Sequence, residues 1–215
     1  MKTKLTLLIL LGINLLLNSG CEKVVEKSEL NFRNDRFYLI NSDTPFSGRI
    51  VSYYENGQLE SSENYTDGEL DGLSKEYWEY GLLKLSENYK DGELDGLSEE
   101  YHEHGQLEFL SNYKDGKLDG LSEEYDWNGQ LERSRNYTDD ELNGLSKEYG
   151  YEYGYNGQLQ YSRNYKDGQL DGWSEYYSKN GQLEYSRNYT DGKLVWVKRY
   201  ENGQLKHQGS GRYRR

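Results

Sequence analysis

Between Val51 and Val195 apolar and polar positions alternate in short runs, and glycine interrupts them so often that the longest glycine-free stretch, Gln130 to Asn143, is 14 residues. No ordinary helix fits between such breaks, whereas alternation with a period of two marks half-buried strands. Leu59, Ser61, Glu63 and Tyr65 are expected to share one face of a strand, as are Leu107, Phe109, Ser111 and Tyr113 or Leu183, Tyr185, Arg187 and Tyr189. The intervening positions, Gln, Glu, Ser and Asn, form the other face.

The runs repeat. Gly57, Gly81, Gly105, Gly129, Gly157, Gly181 and Gly203 each head a Gly-Gln-Leu or Gly-Leu-Leu step, with spacings of 24, 24, 24, 28, 24 and 22 residues. A second glycine series follows Asp in Tyr-x-Asp-Gly, with Asp140 standing where its fourth glycine belongs, and a third closes Leu-Asp-Gly. Asn-Gly and Asp-Gly are hairpin signals because both residues tolerate positive φ. Each unit therefore holds two turns and two strands, and the sequence predicts an all-β chain: an elongated, single-layer antiparallel meander of tandem 24-residue β-hairpins.

Register can be read as well. Tyr53, Tyr77, Tyr101, Tyr125, Tyr153 and Tyr177 stand four residues before a turn glycine, and a three-residue loop with glycine as its bulge sets each opposite the Leu two places after that glycine. The glycine of Leu-Asp-Gly-Leu marks either a bulge returning Leu70 and Leu73 to one face or a plain kink. The four extra residues of the fourth repeat, within Glu148 to Tyr155, are an even number, and two more in each strand would lengthen that hairpin without inverting its faces.

Composition thins the expected core. There is no alanine, and 23 of the 215 residues are tyrosine, so Leu and Tyr must cover the sheet. Residues 1–20 read as a cleaved signal peptide: basic at Lys2 and Lys4, apolar from Leu5 to Leu17, then Asn18-Ser19-Gly20 before Cys21. Cys21 is the single cysteine, so no intrachain disulfide forms, and its place after small residues resembles a bacterial lipobox. Lipidation at Cys21 would anchor the chain in the bacterial envelope, with the outer membrane favoured by resemblance to known lipoproteins. Residues 21–43 then form the lipidated N-terminus, linker and N-terminal cap, 44–206 the repeats, and 207–215 a basic C-terminal tail. Glu22 to Glu29 reads as a mobile tether.

Without the leader lysines the charge is 24 − 38 = −14, which excludes nucleic acid as a partner and suits a basic protein. His102 and His104 flank one turn and read as solvated, and periodic carboxylates lack the unique surroundings a catalytic pair needs. Asp67-Gly-Glu69-Leu-Asp71-Gly72 matches half a calcium loop, but Trp78 stands where the closing Glu belongs, so turn chemistry is the better reading. No cofactor, metal or catalytic residue is indicated.

The unit Tyr-x-x-Asn-Gly-Gln-Leu-x5-Tyr-x-Asp-Gly-x-Leu-x-Gly, clearest from Tyr53 to Gly72, resembles the bacterial MORN repeat variant, and its tandem array resembles the YwqK-type toxin-antitoxin system antitoxin family. That resemblance implies a non-enzymatic scaffold that neutralises a toxin by binding it. Partner specificity is expected where the copies differ, at Phe109, Arg133, Tyr161 and Tyr185, with Arg163 and Arg187 beside them. The alternative is a structural or adhesive surface lipoprotein that binds glycans or other envelope components.

Overall fold

The computed structural model describes residues 23–150 and 157–211. Cys21, residues 1–20, which the sequence predicts to be a signal peptide, and Tyr153 lie outside the described residues.

One long sheet runs through the molecule. It begins with β1 (Val24–Glu26), which pairs parallel with β4 (Gly48–Tyr53). From β4 the chain meanders through β5 (Leu59–Thr66), β6 (Glu69–Tyr77), β7 (Leu83–Lys90), β8 (Glu93–Tyr101), β9 (Leu107–Lys114), β10 (Lys117–Tyr125) and β11 (Leu131–Thr138). It continues through β13 (Gly144–Gly150), β14 (Gln158–Lys166), β15 (Gln169–Tyr177), β16 (Leu183–Thr190), β17 (Lys193–Glu201) and β18 (Gln204–Ser210). The two-residue β12 (Glu141–Leu142) also pairs with β11. Each strand from β5 onward pairs antiparallel with its neighbours, as the alternating turns require.

Both turn types have the expected chemistry. At the first, Tyr54 N–H donates to the Gln58 carbonyl and Gly57 N–H to the Tyr54 carbonyl, both at 2.9 Å, which closes a three-residue loop. All seven glycines of that series have φ between 73° and 89°. At the second, Asp67 and Gly68 take φ of 49° and 82°, the two-residue geometry that matches strand twist.

The Tyr–Leu pairing holds at Tyr53 and Leu59, Tyr77 and Leu83, Tyr101 and Leu107, Tyr125 and Leu131, and Tyr177 and Leu183. The facial assignment of those leucines does not. Ser52 pairs with Ser61 while the next residue, Tyr53, pairs with Leu59, so Glu60 is extra and Leu59 falls on the face opposite Ser61. A one-residue bulge inverts everything beyond it.

A second irregularity is larger. Leu70 to Ser74 spans four steps opposite the two from Tyr65 to Glu63, so β6 carries two extra residues. Being even, this bulge leaves Leu70 and Leu73 on opposite faces, so of the two readings the sequence left open it is not the bulge that returns them to one face. The rungs missing from the ladder are replaced by a side chain: Asn64 donates to the Leu73 carbonyl at 3.0 Å. The same bond recurs from Asn88 to Leu97, Asn112 to Leu121, Asn136 to Leu145 and Asn164 to Trp173.

In the fourth hairpin Tyr149 pairs with Leu159 and Gly150 with Gln158, so Tyr149 holds the place expected for Tyr153. The extension among the described residues is one pair, not two, and Gly157 N–H closes back on the Gly150 carbonyl at 3.0 Å.

The N-terminal segment is more ordered than a tether. Val25 is buried, and the hairpin β2 (Leu30–Arg33) and β3 (Arg36–Leu39) folds over the first strands. Val25, Phe46, Ile50 and Tyr65 form the buried apolar cluster, with Leu30, Phe37, Leu39 and Leu70 against it. Gly48 admits this close approach, since a Cβ there would sit 2.3 Å from the Lys23 carbonyl oxygen. At the other end β18 runs past 206 to Ser210, so the expected tail boundary falls inside a strand.

Candidate protein-binding face

Antiparallel partners project from the same side of a sheet, so the register defines rows that cross it. One row takes one residue from each of β4 to β11 and β13 to β18. It begins Ser52, Ser61, Glu76, Leu85, Glu100, Phe109 and Glu124. It continues Arg133, Glu148, Tyr161, Tyr176, Tyr185, Arg199 and His207. Phe109, Arg133, Tyr161 and Tyr185 therefore share one line. Arg163 and Arg187 stand two residues further along their strands on the same face, opposite Ser174.

The other half of the row, Glu76, Glu100, Glu124, Glu148, Tyr176 and Arg199, comes from the intervening strands and was missed by reasoning on one strand of each repeat. The signal for it was present: once Tyr125 is set opposite Leu131, the position before that Tyr enters the row.

Local geometry differs along the face. At its centre Glu124 accepts from Arg133 at 2.6 Å and Glu148 from Arg163 at 3.3 Å. The hydrogen bond to Glu124 is the largest influence raising the Arg133 guanidinium pKa above its ordinary value. Toward the C-terminal end the Tyr161 and Tyr176 rings lie 5.1 Å apart, and Tyr176 stacks on Tyr185 at 4.8 Å. The Arg163 guanidinium sits 4.0 Å over the Tyr161 ring and that of Arg187 4.7 Å over Tyr185. These contacts hold long side chains in place and lower the entropy lost when a partner docks. A cavity of about 960 Å³ adjoins them, lined by Tyr176, Tyr185, Arg199 and His207 and walled by the turns at Asn180 and Asn202.

Toward the N-terminal end the face is acidic. From β4 to β10 the row and its companion two residues along, which carries Glu63 and Glu87, contain five glutamates and no Lys or Arg. Lys84, from the bulge beside the row, reaches Glu76 at 3.0 Å, and the bond raises the Lys84 pKa. Tyr65 and Tyr89 donate to Glu63 and Glu87, and burial followed by these bonds pushes both phenols well above their usual range.

The turns along one edge tie successive repeats. Asn56 donates to the Glu79 carbonyl at 2.9 Å, Tyr80 bonds the Glu103 carbonyl, and His104 Nε2 lies 2.7 Å from the Trp127 carbonyl oxygen. His102 Nδ1 meets Glu108 at 3.0 Å and its ring stacks on His104. Among the described residues no group of three His, Cys, Asp or Glu side chains is placed to hold a metal ion.

These features define a single-layer β-repeat protein with a charged, aromatic face. Residues 47–67, 94–115 and 118–139 match the MORN repeat variant family, each segment spanning one strand, the loop at Gly57, Gly105 or Gly129, and the next strand. The repeats are thus similar to MORN repeat variants, which suggests a scaffold or binding role. No curated protein matches the chain.

Proposed function

We propose that this chain is a non-enzymatic repeat scaffold of the antitoxin or immunity kind, exported and lipid-anchored at Cys21 in the bacterial envelope, which binds and masks a basic protein. The observation that carries the reading is the run of glutamates along β5 to β10 with no cation in the same rows. Acidic groups repeated on a rigid sheet steer a cationic surface into contact and set its register. Tyr, Phe and Leu between them supply the apolar area that charge alone lacks. Among the described residues no helix is long and apolar enough to cross a membrane, so in this reading attachment rests on the lipid.

The test is co-expression with a basic toxin encoded beside it. Growth rescue and a complex that survives low but not high ionic strength are expected, with both lost in Glu76→Gln/Glu100→Gln/Glu124→Gln. No complex at low salt contradicts the proposal.

The second reading, a surface protein that binds glycans, draws on Tyr161, Tyr176 and Tyr185. Sugar stacking needs an open ring face, and Tyr185 already stacks on Tyr176 and carries Arg187 over its ring. Glycan binding retained at high salt would favour that reading.

A further inference from the structure

The charge on this face is divided, although the chain as a whole is strongly acidic. Glutamates occupy the rows from β5 to β10, whereas β11 to β17 contribute Arg133, Arg135, Arg163, Arg187 and Arg199 against the single Glu148. Among the described residues neither Arg187 nor Arg199 pairs with a carboxylate, and they stand on neighbouring strands beside Tyr185.

Both ladders have one pitch. Glu76 and Glu100 are two strands apart, as are Arg163 and Arg187, so each pair is spaced by about 10 Å. The match arises because both ladders come from the same repeat. A surface whose carboxylates recur at this spacing, with this twist, is present on a second copy of the chain.

We infer that two copies associate face to face in antiparallel order, with the Glu76, Glu87 and Glu100 patch of each set over the Arg163, Arg187 and Arg199 patch of the other, so that Glu76 meets Arg187 and Glu100 meets Arg163. A two-fold axis parallel to the strands, between β10 and β11, places β5 to β10 of one copy over β11 to β17 of its partner. Such a contact is isologous and closes on itself. A face roughly 60 Å long and about 14 Å wide supplies roughly 800 Å² per copy, the size of a standard specific interface. The tyrosines fit the arrangement, since the Tyr161 and Tyr185 rings hold the Arg163 and Arg187 guanidinium groups over them.

The experiment is sedimentation of the full chain in mild detergent at about 50 mM and about 500 mM NaCl, with no other protein present. A dimer at the lower salt is expected, weakened at least about tenfold at the higher. Arg163→Glu/Arg187→Glu/Arg199→Glu and Glu76→Lys/Glu87→Lys/Glu100→Lys should each sediment as monomers, and their equimolar mixture should restore the dimer. A monomeric wild type at low salt, association insensitive to salt, or a mixture of folded variants that stays monomeric overturns the inference. Because no toxin is present, these results bear on self-association alone and leave the toxin-binding reading to its own test.

Discussion

Asn112 donates its side-chain amide to the backbone carbonyl of Leu121 at 2.9 Å, where β10 carries two residues more than β9. The bond spans the gap in the ladder, and its equivalents at Asn64, Asn88, Asn136 and Asn164 make this asparagine part of the repeat's architecture. Asn112→Ala should cost about 1 to 2 kcal/mol, because the Leu121 carbonyl loses its partner in a half-buried position. Gly120→Ala should cost a similar amount or more, since φ there is 113° and a Cβ would approach that of Asn112 to 3.2 Å. Urea unfolding of the two single variants and the double variant checks both, and the double should fall short of the sum because the sites touch.

Asp140 tests how a repeat tolerates a departure from glycine. Its φ of 69° is unfavourable for a residue with a Cβ, yet its carboxylate accepts from Leu118 N–H at 2.8 Å, a bond glycine cannot make. Asp140→Gly relieves the backbone and loses the bond, so stability should stay within about 0.5 kcal/mol of wild type. Asp140→Ala keeps the strain and loses the bond, and should destabilise by about 1 to 2 kcal/mol. Thermal melts of the two variants should therefore separate clearly.

Stability should fall in alkali. Burial, then the hydrogen bonds to Glu123 and Glu175, push the phenols of Tyr125 and Tyr177 up to about 12. Tyr65 and Tyr89 are raised in the same direction. An unfolded tyrosine titrates near about 10, so this contribution is fully present below about pH 10 and is lost as pH rises toward the folded values. Melting temperature should drop between about pH 10 and 12, with a shallower drop in Tyr125→Phe/Tyr177→Phe. An equally steep drop in that variant would remove these tyrosines as the cause.

The interior is concentrated at one end. Ile50 is 1% exposed within the cluster of Val25, Phe46 and Tyr65, whereas Leu145 is 38% exposed on an open face. Ile50→Ala should cost about 2 to 5 kcal/mol and Leu145→Ala less than about 1. In a chain whose repeats touch only their neighbours, hydrogen exchange should show the first change as loss of protection in β4 to β6, with the distant repeats little affected.

The turns and most of the strand pairing were legible because they rest on local chemistry: Asn56-Gly57 fixes the loop, and the loop fixes Tyr53 opposite Leu59. The faces were less legible. The bulge at Glu60 has no residue type of its own, and it moved Leu59 across the sheet. Asn64 looked like one more polar position, since its bond to Leu73 exists only where a non-local bulge leaves a carbonyl open. Strand β1 was hidden for a related reason: Val24, Val25 and Glu26 are too few to show a period, and their pairing is with β4, more than twenty residues away. Of the candidate face, the variable positions could be read from one strand of each repeat. The glutamates between them entered only once pairing joined alternate strands into one row.

A basic protein partner is proposed to meet the sheet along this row and its companion, which carries Glu87. Carbodiimide labelling of surface carboxyls, read by mass spectrometry with and without that proposed partner bound, tests this. Labelling of Glu76, Glu87 and Glu100 should fall on binding while that of Glu55 and Glu79, in the edge turns, stays unchanged. Unchanged labelling of these three glutamates in a complex that forms would contradict it.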